Sequence, residues 1–405
     1  MVTRALLVEN PHANADDILT SSGLEIVRVP HALTEDELDE ALDGVEILGI
    51  RSQTRVTDRV LRNHPQLLAV GAFSIGVNQI DIKAATTHGV AVFNAPFSNT
   101  RSVVELAVAE IIAMTRRLTE RDKSLHDGVW YKSASGSHEV RGRTLGIVGY
   151  GNIGSQLSVI AEALGMRVIF YDTSEKLALG NAQARSSLRE VLSEADVVTL
   201  HVDGREGNAG MFGAEQFAQM KEGASFLNLS RGFVVDYAAL AERIKDGSIS
   251  GASVDVFPKE PGANGEQFES ELRGLPNVIL TPHIGGSTIE AQQNIGTFVA
   301  GKLGRYYRHG VTDLSVNLPR LALEPTDATR HRIAYVHRNT PGVLALVNQT
   351  FAEAGANIEG QILGTAAQTG YVITDISSEI PVEALAAINS MEDTIRMRVL
   401  SRPEK

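Results

Sequence analysis

Residues 145–172 read LGIVGYGNIGSQLSVIAEALGMRVIFYD: an apolar run, three glycines, a helical segment and a second apolar run that ends in an acid. The run Leu145–Val148 predicts a buried strand, and Gly149, Gly151 and Gly154 follow it at G-x-G-x-x-G spacing. This spacing predicts a tight turn at the first glycine, room for a ligand at the second and close packing of helix on strand at the third. The stretch therefore predicts the opening β-α-β unit of a doubly wound α/β fold.

The acid that ends the second run, Asp172, indicates which ligand this unit binds. A carboxylate at that position accepts hydrogen bonds from ribose hydroxyls and repels a 2′-phosphate, and the N–H groups at the helix start suit a pyrophosphate. The pattern predicts a dinucleotide site that prefers NAD to NADP. From the pattern alone, an ordinary glycine turn followed by an acid that caps a loop stays possible.

Short apolar runs alternate with helical patterns on both sides of this unit, which is typical of parallel α/β architecture. The predicted strands of the first set lie at Ala5–Val8, Ile26–Val29, Ile47–Ile50, Leu67–Val70 and Val90–Phe93. Those of the second set lie at Leu145–Val148, Val168–Tyr171, Val197–Leu200, Ser225–Leu229, Ala252–Val256 and Val278–Thr281. A helix that begins near Arg101 is apolar on nearly every face, which predicts that it is buried.

The C-terminal part of the sequence has a different order of elements. Pro319 and Pro325 interrupt the pattern and predict a linker from Leu318 to Arg330. The elements that follow are predicted in the order strand, helix, strand, strand, helix, strand: Ile333–His337, Val343–Ala354, Ile358–Leu363, Tyr371–Ile376, Val382–Asn389 and Thr394–Val399. That order is ferredoxin-like.

Composition narrows the classes of protein. The 405 residues carry a net charge of −12, include 43% hydrophobic residues and contain no cysteine, which excludes disulfides, thiolate nucleophiles and Cys-ligated zinc. The eleven histidines form no HExxH pair, so no metal site is expected. The acidic charge argues against nucleic acid or a membrane surface as a partner. Without a signal-peptide pattern or an apolar run of about 20 residues, a cytoplasmic protein is expected.

Three segments of the second set each place a charged or titratable residue just after a predicted strand. They are NLSRG with Arg231, DVFPKEP with Glu260 and LTPHIGG with His283. Histidine, with an ordinary pKa of about 6.5, suits a base, a carboxylate beside it fixes its tautomer, and the arginine fork holds a substrate carboxylate. Each residue alone is more often an ordinary loop or surface residue. Together they are typical of hydride transfer from a secondary alcohol to a nicotinamide.

These segments resemble the D-2-hydroxyacid dehydrogenase family, as do LGIVGYGNIG and NAPFSNTRSVVELA. The resemblance implies that Arg231, Glu260 and His283 are catalytic and that NAD is the cofactor. It implies cofactor contacts from a set of strand-end residues: Gly149, Gly151, Asn152, Ile153, Gly154, Asp172, His201, Ser230, Asp255 and His283.

The resemblance also implies a discontinuous layout. A Rossmann-type NAD-binding domain at residues 100–285 is expected to be inserted in a flavodoxin-like α/β substrate-binding domain formed by residues 1–99 and 286–325. A ferredoxin-like ACT regulatory domain is expected at residues 330–405.

Within the family, IRS at residues 50–52, NTRS at 99–102 and WYK at 130–132 resemble the phosphoglycerate dehydrogenases that carry an ACT domain. This resemblance implies oxidation of 3-phospho-D-glycerate in serine biosynthesis, with Arg51, Ser52, Arg101, Lys132 and Arg231 binding an anionic substrate. It also implies a homo-oligomer, with a tetramer expected. L-serine is implied as an inhibiting effector, bound by a set that matches the ACT motif: His337, Asn339 and Asn357.

Two other functions remain compatible with these residues. One is a glyoxylate/hydroxypyruvate reductase, although such relatives usually lack the C-terminal segment. The other is a dinucleotide-sensing corepressor on the same fold, because fold does not fix function. The sequence departs from the subgroup pattern at Gln53, at His201-Val202-Asp203-Gly204, and near Thr326–Arg330, where no glycine pair is present to form a free hinge.

Overall fold

The computed structural model describes residues 3–262 and 264–401. The chain divides into two compact units: the first unit consists of Met1–Ser98 with Gln292–Lys405, and the second unit of Asn99–Ala291. The predicted division into a discontinuous substrate-binding domain, an NAD-binding domain and an ACT domain stays a prediction. No helix of the described residues is long and apolar enough to cross a membrane.

The first unit opens with a five-stranded parallel sheet in the order β2-β1-β3-β4-β5, which is the flavodoxin-like order. Its strands are β1 (Thr3–Val8), β2 (Leu24–Val29), β3 (Val45–Ile50), β4 (Ala69–Ala72) and β5 (Ala91–Phe93). Its helices are α1 (Asn14–Thr20), α2 (Glu35–Ala41), α3 (Asp58–Asn63) and α4 (Ile82–Thr87). Thr34 and Glu37 form a capping box at the start of α2.

The second unit contains a seven-stranded parallel sheet in the order β12-β11-β10-β9-β6-β7-β8, the doubly wound Rossmann order. Its strands are β6 (Thr144–Val148), β7 (Arg167–Tyr171), β8 (Gln183–Ala184), β9 (Val197–Leu200), β10 (Ala224–Asn228), β11 (Ile249–Val254) and β12 (Val278–Leu280). Its helices are α5 (Thr100–Thr115), α6 (Leu118–His126), α7 (Asn152–Ala163), α8 (Leu188–Glu194), α9 (Ala214–Ala218) and α10 (Tyr237–Lys245). Only β8 was not predicted, because a polar two-residue edge strand carries no apolar run.

After α11 (Ile289–His309), the chain forms a four-stranded antiparallel sheet in the order β14-β15-β13-β16. Its elements are β13 (His331–Arg338), α12 (Val343–Glu353), β14 (Ile358–Ala366), β15 (Thr369–Ile376), α13 (Val382–Asn389) and β16 (Thr394–Ser401). The ferredoxin-like prediction is confirmed in order and type. With the two parallel sheets, the predicted fold class is confirmed as a whole.

Both faces of this C-terminal sheet are covered. Alternate residues such as Tyr335 pack with Phe351 of α12, while Val336 and Tyr371 point the other way, into the core that also holds α11 and β1. On that second face, Arg332 forms a buried ion pair with Asp375 at 2.6 Å and donates to the backbone O of His309 at 3.1 Å. The sheet is therefore attached to the C-terminal end of α11 by packing and by a buried charge pair.

The predicted linker, Leu318 to Arg330, is irregular in structure, but part of it packs into the core of the first unit. No helix or strand lies between His309 and His331, but Leu318 and Leu321 are buried in the same core as α11. The side chain of Asn317 donates to the backbone O of Val90 at 2.8 Å and accepts from the N–H of Val92 at 2.9 Å, next to and on β5. The prolines lie inside this irregular segment, but they indicated neither its start after His309 nor this packing.

The buried pair gives a test of how the C-terminal sheet is attached. Replacing Asp375 by Ala leaves the Arg332 guanidinium buried without its counter-charge, and we expect a loss of about 3 kcal/mol in the free energy of unfolding. The matched control is Glu379→Ala, which removes an exposed pair with Arg330 and should cost less than about 1 kcal/mol. Urea unfolding of the three proteins measures both effects, and equal losses would contradict the interpretation.

Candidate active site

The glycine loop between β6 and α7 has the geometry that a dinucleotide requires. Gly149 has φ +93°, and a Cβ there would lie 2.7 Å from the backbone O of His201. A Cβ on Gly154 would lie 2.4 Å from the O of Gly149, whereas the corresponding space at Gly151 is open within 4 Å. The close approaches at Gly149 and Gly154 and the open space at Gly151 suit a turn, helix packing and room for a ligand, while contact of these residues with a cofactor stays a prediction. The N–H groups at the start of α7 lie beside the same loop, and we expect a pyrophosphate to bind there.

Asp172 lies at the end of β7 beside this loop. One carboxylate oxygen accepts from the N–H of Tyr150 at 2.9 Å, and the other accepts from the N–H and the hydroxyl of Ser174 at 2.9 and 3.0 Å. Partial burial acts to raise the pKa of Asp172, but these hydrogen bonds outweigh it and hold the pKa below its ordinary value. The carboxylate is therefore charged at neutral pH and has acceptor sites left for ribose hydroxyls.

His283 and Glu260 form a hydrogen-bonded pair, with 2.9 Å between Nδ1 of the imidazole and Oε2 of the carboxylate. The bond to Glu260 raises the pKa of His283 above its ordinary value. Burial acts to raise the pKa of Glu260, but the bonds from His283 and from the Phe257 N–H prevail and lower it. Because the carboxylate accepts at Nδ1, the neutral ring carries its proton there and leaves Nε2 as the base.

The loop that carries His283 is fixed by Asp255. Its Oδ1 accepts from the hydroxyl of Thr281 at 2.7 Å and the N–H of Ile284 at 2.8 Å, and its Oδ2 accepts from the N–H of Gly285 at 2.8 Å. His283 itself has φ +53°, a left-handed conformation that a residue other than glycine adopts only when its surroundings impose it. The three bonds to Asp255 on either side of the histidine supply that constraint.

Arg231 follows β10 and is available to an anion. Its Nη1 donates to the backbone O of Ser230 at 2.7 Å, and it makes no ion pair with a carboxylate among the described residues. Burial lowers the pKa of Arg231 from its ordinary value, but arginine remains charged at neutral pH. A half-buried guanidinium without a counter-ion is a strong site for a substrate carboxylate.

Two positioning residues of this site, Asn228 and Tyr237, were missed in the sequence. The Asn228 amide donates to the O of Arg231 at 3.0 Å and to the hydroxyl of Tyr237 at 2.9 Å, and that hydroxyl donates to the O of Val256 at 2.6 Å. The loops after β10 and β11 are thereby tied together. A polar residue that ends an apolar strand is a signal for Asn228, but Tyr237 lies in a helix pattern and gives none.

The other predicted cofactor residues lie around the same strand ends. His201 follows β9, and burial lowers its pKa to about 4, so its ring is neutral. Ser230 is buried and donates to Asn228 Oδ1 at 2.7 Å. Asn152 and Ile153 form the first turn of α7. Their contact with the cofactor stays a prediction.

The predicted substrate residues are distributed over both units. Arg51 and Ser52 follow β3 in the first unit, where Arg51 Nη2 donates to Gln292 Oε1 at 3.2 Å. In the second unit, Arg101 is exposed and forms an ion pair with Glu105 at 2.6 Å, so part of its charge is already compensated. Lys132 lines a surface pocket of the second unit together with Arg116 and Arg121.

The predicted effector residues do not meet within one chain. His337 is buried near the end of β13, and Asn339 just beyond it donates to the O of Ala367 at 3.1 Å. Asn357 lies before β14, and its O accepts from the N–H of Ser377, just past the opposite end of β15. The nine residue steps from Gln368 to Ser377, at about 3.3 Å each, separate the two asparagines by about 30 Å.

The described residues include no group of three or more His, Cys, Asp or Glu side chains able to hold a metal ion.

Comparisons with known proteins agree with this geometry. The family described as "D-isomer specific 2-hydroxyacid dehydrogenase, NAD binding domain" matches residues 108–285, and the "AHAS small subunit-like ACT domain" matches residues 333–396. A D-3-phosphoglycerate dehydrogenase of Haemophilus influenzae is 49% identical over 98% of this chain and 96% of its own. The chain belongs to the D-isomer specific 2-hydroxyacid dehydrogenases.

Two further proteins resemble this chain, one in sequence and one in structure. A D-3-phosphoglycerate dehydrogenase of Escherichia coli K12 is 46% identical over 98% of this chain and 97% of its own. A D-lactate dehydrogenase of Aquifex aeolicus, solved as a complex with NAD and lactic acid, superimposes with a TM-score of 0.65 at 25% identity, covering 75% of this chain and 95% of that chain. The predictions of an NAD-dependent dehydrogenase with an ACT domain are confirmed.

The pair of His283 and Glu260 sets the acid limb of the pH profile. Only the neutral imidazole accepts a proton, so oxidation slows as the pH falls through the pKa of His283. Glu260→Gln removes the carboxylate that raises this pKa, and we expect the acid limb to move to lower pH. Steady-state rates between pH 5 and 10 measure the shift. The control is His283→Ala, whose remaining activity should show no decline of this kind at low pH, because the titrating base is absent. An unmoved limb in Glu260→Gln would exclude the carboxylate from this role.

Asp172 is expected to set the choice between NAD and NADP. Asp172→Ala removes both the ribose hydrogen bonds and the charge that repels a 2′-phosphate. NAD should bind about tenfold more weakly while NADP improves relative to it. Fluorescence titration with the two reduced cofactors measures both affinities, with Asp203→Ala as a matched loss of charge. A similar change in both variants would contradict a specific role for Asp172.

Proposed function

We propose that this chain oxidises 3-phospho-D-glycerate to 3-phosphohydroxypyruvate with NAD, as the first step of L-serine biosynthesis in the cytoplasm. The observation that carries the proposal is the hydrogen-bonded pair of His283 and Glu260 on the strand ends that also hold the glycine loop and Arg231. The substrate is proposed from the names of the relatives, which match nearly the whole chain at 43–49% identity.

The roles of the residues follow from their geometry. Arg231 binds the substrate carboxylate, and Nε2 of His283 removes the proton of the C2 hydroxyl. The glycine loop and Asp172 would hold NAD, which would supply the acceptor for the hydride that leaves C2. Glu260 stabilises the resulting imidazolium, which later releases its proton to solvent. The hydroxyl loses one proton and C2 loses one hydride, which leaves the 2-oxo acid.

Substrate phosphate requires further cations, and Arg51, with Ser52 beside it, is proposed to bind it. The loop that carries them is rigid, since the carboxylate of Glu9 accepts from the N–H groups of Ser52 and Thr54 at 3.0 and 2.7 Å. Lys132 is proposed as a second phosphate contact, and Arg101 as a weaker one because Glu105 already pairs with it.

L-serine is proposed to inhibit by binding between the ACT domains of two chains. A site formed by His337, Asn339 and Asn357 needs a second copy, because Asn339 and Asn357 lie at opposite ends of the sheet in one chain. The two edge strands of the sheet, β14 and β16, offer unpaired backbone groups that a second copy would cover. A homo-oligomer, as a tetramer, is proposed on this ground.

Arg51 gives the test of the phosphate assignment. In the wild type we expect NADH formation with 3-phospho-D-glycerate to exceed that with D-glycerate, D-lactate or glycolate. Arg51→Ala should raise KM for the phosphorylated substrate about thirtyfold, since one charge-assisted bond is worth about 2 kcal/mol. The KM for D-glycerate should change little. Arg55→Ala, a cation four positions along the same segment, is the control, and an equal loss on both substrates would mean that Arg51 acts structurally.

Serine binding is tested separately from inhibition. Calorimetry with L-serine on the wild type should give heat, and the double variant Asn339→Ala with Asn357→Ala should give none, because the amides that hold the amino acid are removed. Activity at saturating serine is measured in parallel, with Asn348→Ala of α12 as the control. Absence of heat in the wild type would exclude the effector, whereas heat without inhibition would contradict only the regulatory step.

A further inference from the structure

A cationic groove lies in the first unit between α4 and the last strand of the C-terminal sheet. Its volume is about 1660 Å³, and none of the described residues that line it is an aspartate or glutamate. The cations on its walls come from both sides of the unit: Arg62 and Lys83 on one, and Arg338, Arg396 and Arg398 on the other. In a chain with a net charge of −12, such a concentration of positive charge needs an explanation.

The two arginines of β16 share one face of an edge strand. Arg396 and Arg398 are two positions apart and lie opposite Val336 and Ala334, so their side chains leave the sheet on the same side. Their hydrogen bonds go to backbone oxygens: Arg396 donates to His88 at 3.0 Å, and Arg398 donates to the end of α11. Neither forms an ion pair with a carboxylate among the described residues, and two like charges so close repel each other.

The exposed cations of the groove are also largely uncompensated. Arg62 pairs with Asp58 at 2.8 Å, but Lys83 and Arg338 form no ion pair with a carboxylate among the described residues. Burial lowers the pKa of Arg396, and the charge of Arg398 adds to this effect. A bound anion would relieve the repulsion and supply the missing counter-charge.

Part of the remaining wall is apolar, and part is formed by uncharged polar side chains such as Thr86, Asn317 and Gln368. Leu61, Pro65, Ile82 and Ile395 lie among the lining residues, with the backbone of the loop at Asn339 and Thr340 at one end. An inorganic ion would leave this surface in contact with water, whereas an organic anion of nucleotide size would cover it. The groove thus offers charge and apolar surface to the same ligand.

We propose that this groove binds an organic polyphosphate with the chemistry of a nucleoside triphosphate: three or four negative charges joined to an apolar ring system. The phosphates contact Lys83, Arg338 and Arg396, and the ring covers the apolar wall. The site is separate from the glycine loop, which belongs to the second unit, and it is independent of the substrate proposed above.

Calorimetry with ATP and with tripolyphosphate, both at saturating NAD so that the cofactor site is filled, tests the proposal. One ATP per chain should bind, with an affinity that falls steeply as salt is raised, and tripolyphosphate should bind more weakly. Lys83→Gln with Arg338→Gln should reduce ATP affinity about thirtyfold. Arg4→Gln with Arg320→Gln removes the same charge outside the groove and should leave the affinity within about twofold.

Each other outcome overturns a stated part of the proposal. No heat with either probe, or an equal loss in both double variants, would exclude the groove as a site. Tripolyphosphate binding as tightly as ATP would exclude a role for the apolar wall. Thermal melting of both variants verifies that they fold, and a single Lys83→Gln variant, altered only at an exposed side chain of α4, repeats the test if the double variant melts early.

Discussion

The carboxylate of Asp255 is the constraint on which the catalytic arrangement depends. It accepts from one side chain and two backbone N–H groups of the loop after β12, and this loop holds His283 in a left-handed conformation. Burial raises the pKa of Asp255, so these three hydrogen bonds also serve to keep the carboxylate charged. Without it, the loop would lose three of the hydrogen bonds that hold His283 in this conformation beside Glu260.

The neighbouring loops are fixed in the same way, by polar groups at strand ends. Asn228 ties Arg231 to Tyr237, and a Cβ on Gly232 would lie 2.0 Å from the backbone C of Phe257. Only glycine permits that approach, which brings the loops that carry Arg231 and Glu260 together. The proposed catalytic groups follow three strands, and their positions are set by contacts between loops rather than by the strands alone.

The strands and the glycine loop could be predicted from the sequence, whereas the contacts between loops could not. Periodicity located every strand that packs an apolar face, and glycine spacing located the dinucleotide loop, because both patterns are local consequences of backbone geometry. Tyr237 and the loop clamp by Asp255 depend on contacts between residues distant in sequence, which no local pattern encodes. The packing of Leu318 and Leu321 was missed for the same reason: prolines report where a helix cannot continue, not where the chain then packs.

The same packing attaches the C-terminal sheet to the helix that precedes it. A glycine hinge would allow the sheet to move freely, whereas here Arg332 bonds to Asp375 and to the backbone of His309, and Tyr371 donates to the O of Gly310. These contacts join the sheet to the end of α11, a helix of 21 residues. The sheet is therefore held to that helix by a buried ion pair and by bonds to backbone oxygens, and the lack of a glycine pair near Thr329 does not leave it free. Asp375→Ala would weaken this attachment, because it removes the counter-charge of the buried Arg332 guanidinium.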